Sequence, residues 1–392
     1  MEAQERLSLF NADKIIILLF VGFLLTGEAQ ELLYGSGLRW AYLLLLSFGI
    51  GYAVTPLVHL LAHRLGMLDI PHGRKAHKAP TALMGGLAIF LAFSGTLVRN
   101  FAFSTELKGI VLGGVLILAA GLIDDKRELS ARLKLIVQLL AVGILLQHGV
   151  VISFLPPGLW GDIGEGLLTI IWVVGIVNAV NFLDGMDGLA TGMCTIMATF
   201  FGLIAFQNGH DFMVYLALPL VGACLGFLPY NFRRGQPAAI FLGDAGSTFL
   251  GFMMASLGIM GDWASDYTAR LLVPVMILGV PIFDMSFTTF MRIKNGQVRS
   301  FREWVDFTGR DHFHHRLADL RIGNGGAVVV IYIITFWLGL SALALKNSTG
   351  FTALIEVAES TIVFILMAFF MVFVPRQYAR IEKEKEGNGE SG

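Results

Sequence analysis

The chain has 392 residues, 55% of them hydrophobic and only 15% charged, with a formal net charge of −1. Soluble domains carry about 25% charged residues, so there are too few charges here to clothe a soluble surface of this size, and no run of Lys and Arg forms the basic patch that nucleic acid calls for. Cys194 and Cys224 both lie in apolar runs, which excludes a disulfide framework and a zinc-type cysteine spacing.

A membrane-spanning helix needs about 20 largely apolar residues. The N-terminal segment, 1–39, starts polar and mixed in charge and has no secretory-signal shape. Its one apolar stretch, 15–25, is about half a span long and reads as a short twelfth crossing first, with a re-entrant or an interfacial helix as the alternatives. Longer apolar stretches follow at 40–62, 82–98, 107–123, 133–152, 164–181, 189–207, 212–229, 239–260, 271–291, 327–345 and 354–374. They are too long for barrel strands, and only helices and closed barrels satisfy their backbone in lipid. The expected fold is therefore an all-α polytopic integral membrane protein. It has about eleven transmembrane helices within 40–374, preceded by the short hydrophobic segment and followed by a charged tail, 375–392. No internal repeat and no soluble domain stand out.

Orientation follows from Lys and Arg in short loops. The loops at 63–80, 124–134, 183–188, 230–239, 292–326 and 375–392 hold 21 of these residues. The opposite loops hold Arg99, Lys108, Arg270 and Lys346. The basic side is expected to be cytoplasmic, with the C-terminus on that side and the tail disordered.

The unusual polar residues all fall on that same side. Arg74, Lys75 and His77 offer phosphate contacts, although loop charge alone explains such a cluster. Asp124 and Asp125 end the third long stretch; adjacent carboxylates at a membrane boundary repel unless a cation neutralises them. Lys134 and Gln138 follow, four apart and therefore on one helix face. The strongest local signal is Asn178-x-x-Asn181-x-x-Asp184-Gly185-x-Asp187-Gly188, two amides and two carboxylates ending an apolar helix in a loop with no basic residue. Burying these oxygens without an internal cation is costly, so an external cation or a polar substrate is the economical reading. Asn231 and Asp244 come next. Asp244 stands between Gly243 and Gly246 at the start of an apolar helix, where a carboxylate either caps the helix or binds a metal beside bulky phosphates. Last, Arg310-Asp-His312-Phe-His314-His315 occupies the longest basic loop, with no cysteine and no HExxH spacing to make it a zinc site. A candidate active site on cytoplasmic loops results. Its hard oxygen donors favour Mg²⁺, with Mn²⁺ second, and its cations and carboxylates suit phosphoryl transfer.

These ordered motifs resemble those of the polyprenyl-phosphate N-acetylhexosamine-1-phosphate transferases, over roughly residues 40–345. The resemblance implies a bacterial inner-membrane, multi-pass enzyme that transfers an N-acetylhexosamine-1-phosphate, GlcNAc-1-phosphate first, from a UDP-sugar to undecaprenyl phosphate. UMP is released, and the product starts a cell-envelope polysaccharide such as a lipopolysaccharide O-antigen. It further implies Asp244 as the main Mg²⁺ ligand with Asn181 second. Asp124 and Asp125 would act on the lipid phosphate, Lys134 on pyrophosphate oxygens, and Asp184 and Asp187 in the catalytic nucleotide pocket with Asn178 and Asn231. Lys75 and His77 would bind substrate, and Arg310, His312, His314 and His315 would lie over the sugar and phosphates. A homodimer is implied by analogy with the family alone.

Within the superfamily, the phospho-MurNAc-pentapeptide transferase branch is the alternative; its three consecutive histidines precede Phe-Glu, whereas Arg316-Leu317 follows His315 here. The loop 300–309 departs from the family's short Pro-containing linker, which leaves the sugar open among GlcNAc, GalNAc and related N-acetyl sugars. A CDP-alcohol phosphotransferase is disfavoured because no Ala-Arg pair follows Asp187-Gly188. An ion-coupled transporter would place its carboxylates near the bilayer midplane in repeated halves.

Overall fold

The computed structural model describes residues 12–71, 80–100, 104–233, 235–307 and 309–389. The chain divides into two compact units, residues 1–263 and 264–392. Both are helical; the described strands are one two-residue pair.

The first unit begins with α1 (Ala12–Leu24) and α2 (Gly27–Gly35), followed by α3 (Arg39–Leu65). Gly66, in the left-handed region at φ 66°, ends α3. Strands β1 (Leu68–Asp69) and β2 (Thr81–Ala82) then pair antiparallel, Leu68 opposite Ala82 and Asp69 opposite Thr81. The helices α4 (Gly85–Asn100), α5 (Thr105–Lys126), α6 (Ala131–Gln147), α7 (Leu159–Leu183), α8 (Leu189–Gln207), α9 (Asp211–Asn231) and α10 (Gly243–Met260) complete the unit. The hydroxyls of Ser104 and Ser130 cap α5 and α6 by accepting from Leu107 N and Leu133 N.

Close packing relies on small residues, as expected where lipid supplies no hydrophobic drive between helices. A side chain at Gly222 or Gly226 of α9 would strike the α3 backbone at Leu44 and Phe48. Helix α10 is buried on nearly every face and packs against α4, α5, α7 and α8. The segment leading into it is held by main-chain bonds, with Phe241 N donating to Ala82 O (2.8 Å) and Gly85 N to Phe241 O (3.0 Å).

The second unit contains α11 (Tyr267–Ile277), α12 (Gly279–Lys294), the short α13 (Phe301–Asp306) and α14 (Phe313–Leu317), a π-turn at Ala318–Ile322, α15 (Gly323–Leu345) and α16 (Phe351–Gly389). Helix α16 continues through the stretch whose composition suggested disorder; its Arg, Glu, Lys and Ala are good helix formers.

The protein is an all-α multi-pass membrane protein. Among the described residues seven helices are long and apolar enough to cross a membrane, or nine if each of two bent pairs counts as one crossing. The N-terminal stretch is one such pair, bent by 72° between Leu24 and Gly27, and the expected span at 271–291 is the other, bent by 77° between α11 and α12. Pro274, Gly279 and Pro281 account for the second break, since proline removes a helical donor. Three further stretches expected to span are α4, α6 and α10, of 16, 17 and 18 residues, shorter than the usual crossing.

Candidate active site

The N-terminus of α10 organises the first unit's polar cluster. Gly243 opens it at φ 74°, and a side chain there would also lie 2.6 Å from Asp125 Oδ2. Only glycine fits both demands. This backbone turn aims the first amides of α10 at Asp125, whose Oδ1 accepts from Asp244 N (2.7 Å) and whose Oδ2 accepts from Ala245 N (3.4 Å). The carboxylate capping α10 thus comes from α5, and the Asp244 side chain is released from that task. Gly121, one turn before Asp124, makes the approach possible: a side chain there would collide with the Ala245 backbone.

Released in this way, Asp244 faces a cation. Lys134 Nζ lies 2.8 Å from Asp244 Oδ2 and also ion-pairs with Asp124 Oδ2. Asp124 is buried and takes a further bond from Leu129 N (2.7 Å), while about a third of the Lys134 and Asp244 side chains stays open. On the other flank Asn181 Nδ2 donates to Asp244 Oδ1 (3.1 Å) and to Ser247 Oγ (2.8 Å). Asn178 exchanges a pair of amide bonds with Gln138, at 2.8 and 3.3 Å. Asp124, Lys134, Gln138, Asn178, Asn181 and Asp244 line one cleft, with Ile117 and Val137 as its apolar wall.

Asp184 follows α7 immediately. Burial raises its pKa well above the usual carboxylate range, and the charges of Asp244, Asp125 and Asp187 push it the same way. Asp187 and Asn231 brace the next loop. Asp187 Oδ2 accepts from Ala238 N (2.9 Å), and the buried Asn231 joins Gly188 N (3.0 Å) to Ile240 O (3.0 Å). Lys75 and His77 lie outside the described residues.

The histidine motif belongs to the second unit. His312 Nδ1 is 2.7 Å from Asp284 Oδ2, and Phe313 N donates to Asp284 Oδ1 (2.6 Å). Arg292 grips Asp311 through two bonds, at 2.8 and 2.6 Å, and its Nη2 lies 3.3 Å from His312 Nε2. Burial tends to raise the Asp311 carboxyl, but the Arg292 guanidinium outweighs it and holds the group below its usual range. His314 is 1% exposed, and neither ring nitrogen has a hydrogen-bond partner. Burial, aided by His315, His312 and Arg310, lowers its basicity well below the usual imidazole value; His315 shifts the same way. Arg310 is exposed.

Asp284 and Arg292 were not anticipated. Asp284 sits inside an apolar stretch, where a lone carboxylate is itself a signal of function or pairing. Arg292 reads in the sequence as ordinary loop charge.

Residues 107–262 match the family model "Glycosyl transferase family 4". A probable undecaprenyl-phosphate N-acetylglucosaminyl 1-phosphate transferase of Bacillus subtilis is 36% identical, over 81% of this chain and 87% of that protein. A decaprenyl-phosphate N-acetylglucosaminephosphotransferase of Mycobacterium tuberculosis is 35% identical, over 77% and 80%. A phospho-N-acetylmuramoyl-pentapeptide-transferase of Heliobacterium modesticaldum is 31% identical, over 76% and 92%. With identities at this level over most of both chains, and Asp124, Lys134, Asn178 and Asn181 gathered around Asp244, the chain belongs to the polyprenyl-phosphate N-acetylhexosamine-1-phosphate transferases of glycosyl transferase family 4.

Proposed function

We propose that this protein transfers GlcNAc-1-phosphate from UDP-GlcNAc to undecaprenyl phosphate at the cytoplasmic face of a bacterial inner membrane, with its C-terminus on that face. The observation that carries the reading is the Asp124–Lys134–Asp244–Asn181 cluster at one open cleft. The named activities of the bacterial relatives support GlcNAc as the sugar and a polyprenyl phosphate as the acceptor.

The reaction forms a bond from a lipid-phosphate oxygen to the sugar-linked phosphorus and breaks that phosphorus's bond to the bridging oxygen, which leaves with UMP. The lipid phosphate is largely ionised at pH 7, so Asp124 acts more by positioning the acceptor than by taking a proton. Lys134 supplies positive charge to the pyrophosphate oxygens, drawing on the ammonium it now shares between two carboxylates. Asn178 and Gln138 form the amide wall, and Asp184 and Asp187 border the nucleotide side.

The donor set suits Mg²⁺, which is held by one or two carboxylates plus substrate phosphates. Asp244 and the adjacent Asn181 would hold it; Asp184 with three carboxylate neighbours marks a place where added positive charge is favourable. Bound there, Mg²⁺ would neutralise charge on the phosphates.

A donor panel tests the reading. Purified protein with undecaprenyl phosphate and Mg²⁺ is expected to release UMP from UDP-GlcNAc, to stop when the metal is chelated, and to recover with Mg²⁺ or Mn²⁺. Release from UDP-GalNAc alone would change the sugar. Release from UDP-MurNAc-pentapeptide alone would move the protein to the other branch, and no release from any donor would defeat the proposal.

A further inference from the structure

The first histidine of the motif differs from the other two in what it touches. Both ring nitrogens of His312 are engaged inside the second unit, Nδ1 with Asp284 (2.7 Å) and Nε2 with Arg292 (3.3 Å). Arginine carries only donors, so Nε2 accepts, and the ring proton sits on Nδ1 and is donated to Asp284. The other Asp284 oxygen takes the next main-chain amide, Phe313 N. Arg292 in turn holds Asp311, the residue before His312, with two parallel bonds, and stacks over the Phe307 ring at 4.4 Å. Asp284 and Arg292 stand eight residues apart on α12, two successive i,i+4 steps, and therefore lie along one side of the helix. Asp284, Arg292 and His312 are 1%, 3% and 5% exposed. His314, two residues on, is equally buried, yet neither of its nitrogens has a partner. A buried polar group left unsatisfied is uncommon and calls for a ligand or a reason.

We infer that Asp284 and Arg292 are positioning residues that clamp the Asp311–Phe313 segment through His312, which leaves His314, and not His312, as the imidazole whose nitrogens are free for a phosphate-bearing donor ligand. His312 is the keystone of the clamp. The donor assignment rests on the proposed transferase function; the clamp itself does not.

Chemistry at the clamp separates the roles. Asp284→Asn keeps shape but loses one acceptor, so it cannot take both the His312 and the Phe313 protons. It is expected to lower kcat by about 10-fold or more while KM for the UDP-sugar stays within about 3-fold, because loss of alignment falls on the transition state. His312→Asn retains a donor where Nδ1 stands, whereas His312→Gln places its amide where Nε2 stands; the Gln variant is expected to lose more activity than the Asn variant. Adding Asp284→Asn to His312→Gln should cost little more than the worse single change. Hydrogen exchange supplies a readout independent of turnover: in Asp284→Asn, peptides covering 311–317 should exchange faster, with those of the first unit unchanged. Unaltered exchange there would overturn the clamp. Faster exchange with kcat per folded molecule unchanged would leave Asp284 a purely structural residue and overturn its positioning role. A parent protein that releases no UMP would defeat the transferase reading, while the exchange result would still judge the clamp. Equal losses in the two His312 variants, with KM raised more than kcat lowered, would make His312 a substrate contact and overturn the inference.

Discussion

Asp244 has an ammonium on one side and an amide on the other, and its helix is capped by a different carboxylate. It is therefore a carboxylate held in place without being needed for local folding. Asp244→Asn removes one charge and almost no volume, and the Asn181 bond can be re-formed through the remaining carbonyl oxygen. The expected result is a loss of about 100-fold or more in kcat, in protein that elutes and melts like the parent in detergent. Activity near the parent's at saturating Mg²⁺ would remove Asp244 from the metal site.

His314 has a pH consequence of definite sign. Its folded-state basicity lies well below the ordinary imidazole value of 6.5, and His315 shifts the same way. The unfolded chain therefore binds protons more readily than the folded one just below that pH. The associated stability is fully present above about pH 6.5 and declines as the pH falls below it. Melting temperature is expected to drop between pH 7 and pH 5.5, and less steeply in His314→Gln; identical slopes in the two proteins would show that His314 takes up a proton as readily in the fold as in the unfolded chain.

At the scale of elements, the site is made by one crossing. Helix α5 meets the N-terminus of α10 at Gly121, and this contact delivers Asp125 to the α10 amides and Asp124 to Lys134. Gly121→Val would force the Ala245 backbone away. The expected outcome is a folded but destabilised protein whose kcat falls by about 100-fold, since displacements of about 1 Å cost that much at a reacting centre. Gly143→Val, on a helix surface with open space around the glycine, is the control and is expected to leave activity unaltered. Helix positions were legible because apolar runs this long have few alternatives. The bends were not: 271–291 has the length and hydropathy of a straight span, and only its Pro and Gly residues hint at the 77° turn between α11 and α12.

For the whole molecule, hydropathy and composition were sufficient for the all-α multi-pass class, because a backbone in lipid must bond to itself and long apolar runs can do so only as helices. Motif order was sufficient for the family, and the residues Asp124, Lys134, Asn178, Asn181 and Asp244 were each visible as polar atoms out of place. Division of labour among them was not visible. Two adjacent aspartates look alike in a sequence, yet Asp124 pairs with Lys134 while Asp125 caps a helix more than a hundred residues away. Three histidines in four positions look equivalent, yet His312 is tied on both nitrogens and His314 on neither. Asp284 escaped notice because its partners arrive through the tertiary fold. Residue chemistry, spacing and hydrophobic length are local properties that a sequence carries on its face. Which carboxylate meets which amide or ammonium depends on the distance of closest approach between helices, and small residues such as Gly121 and Gly243 set that distance only once the chain has packed.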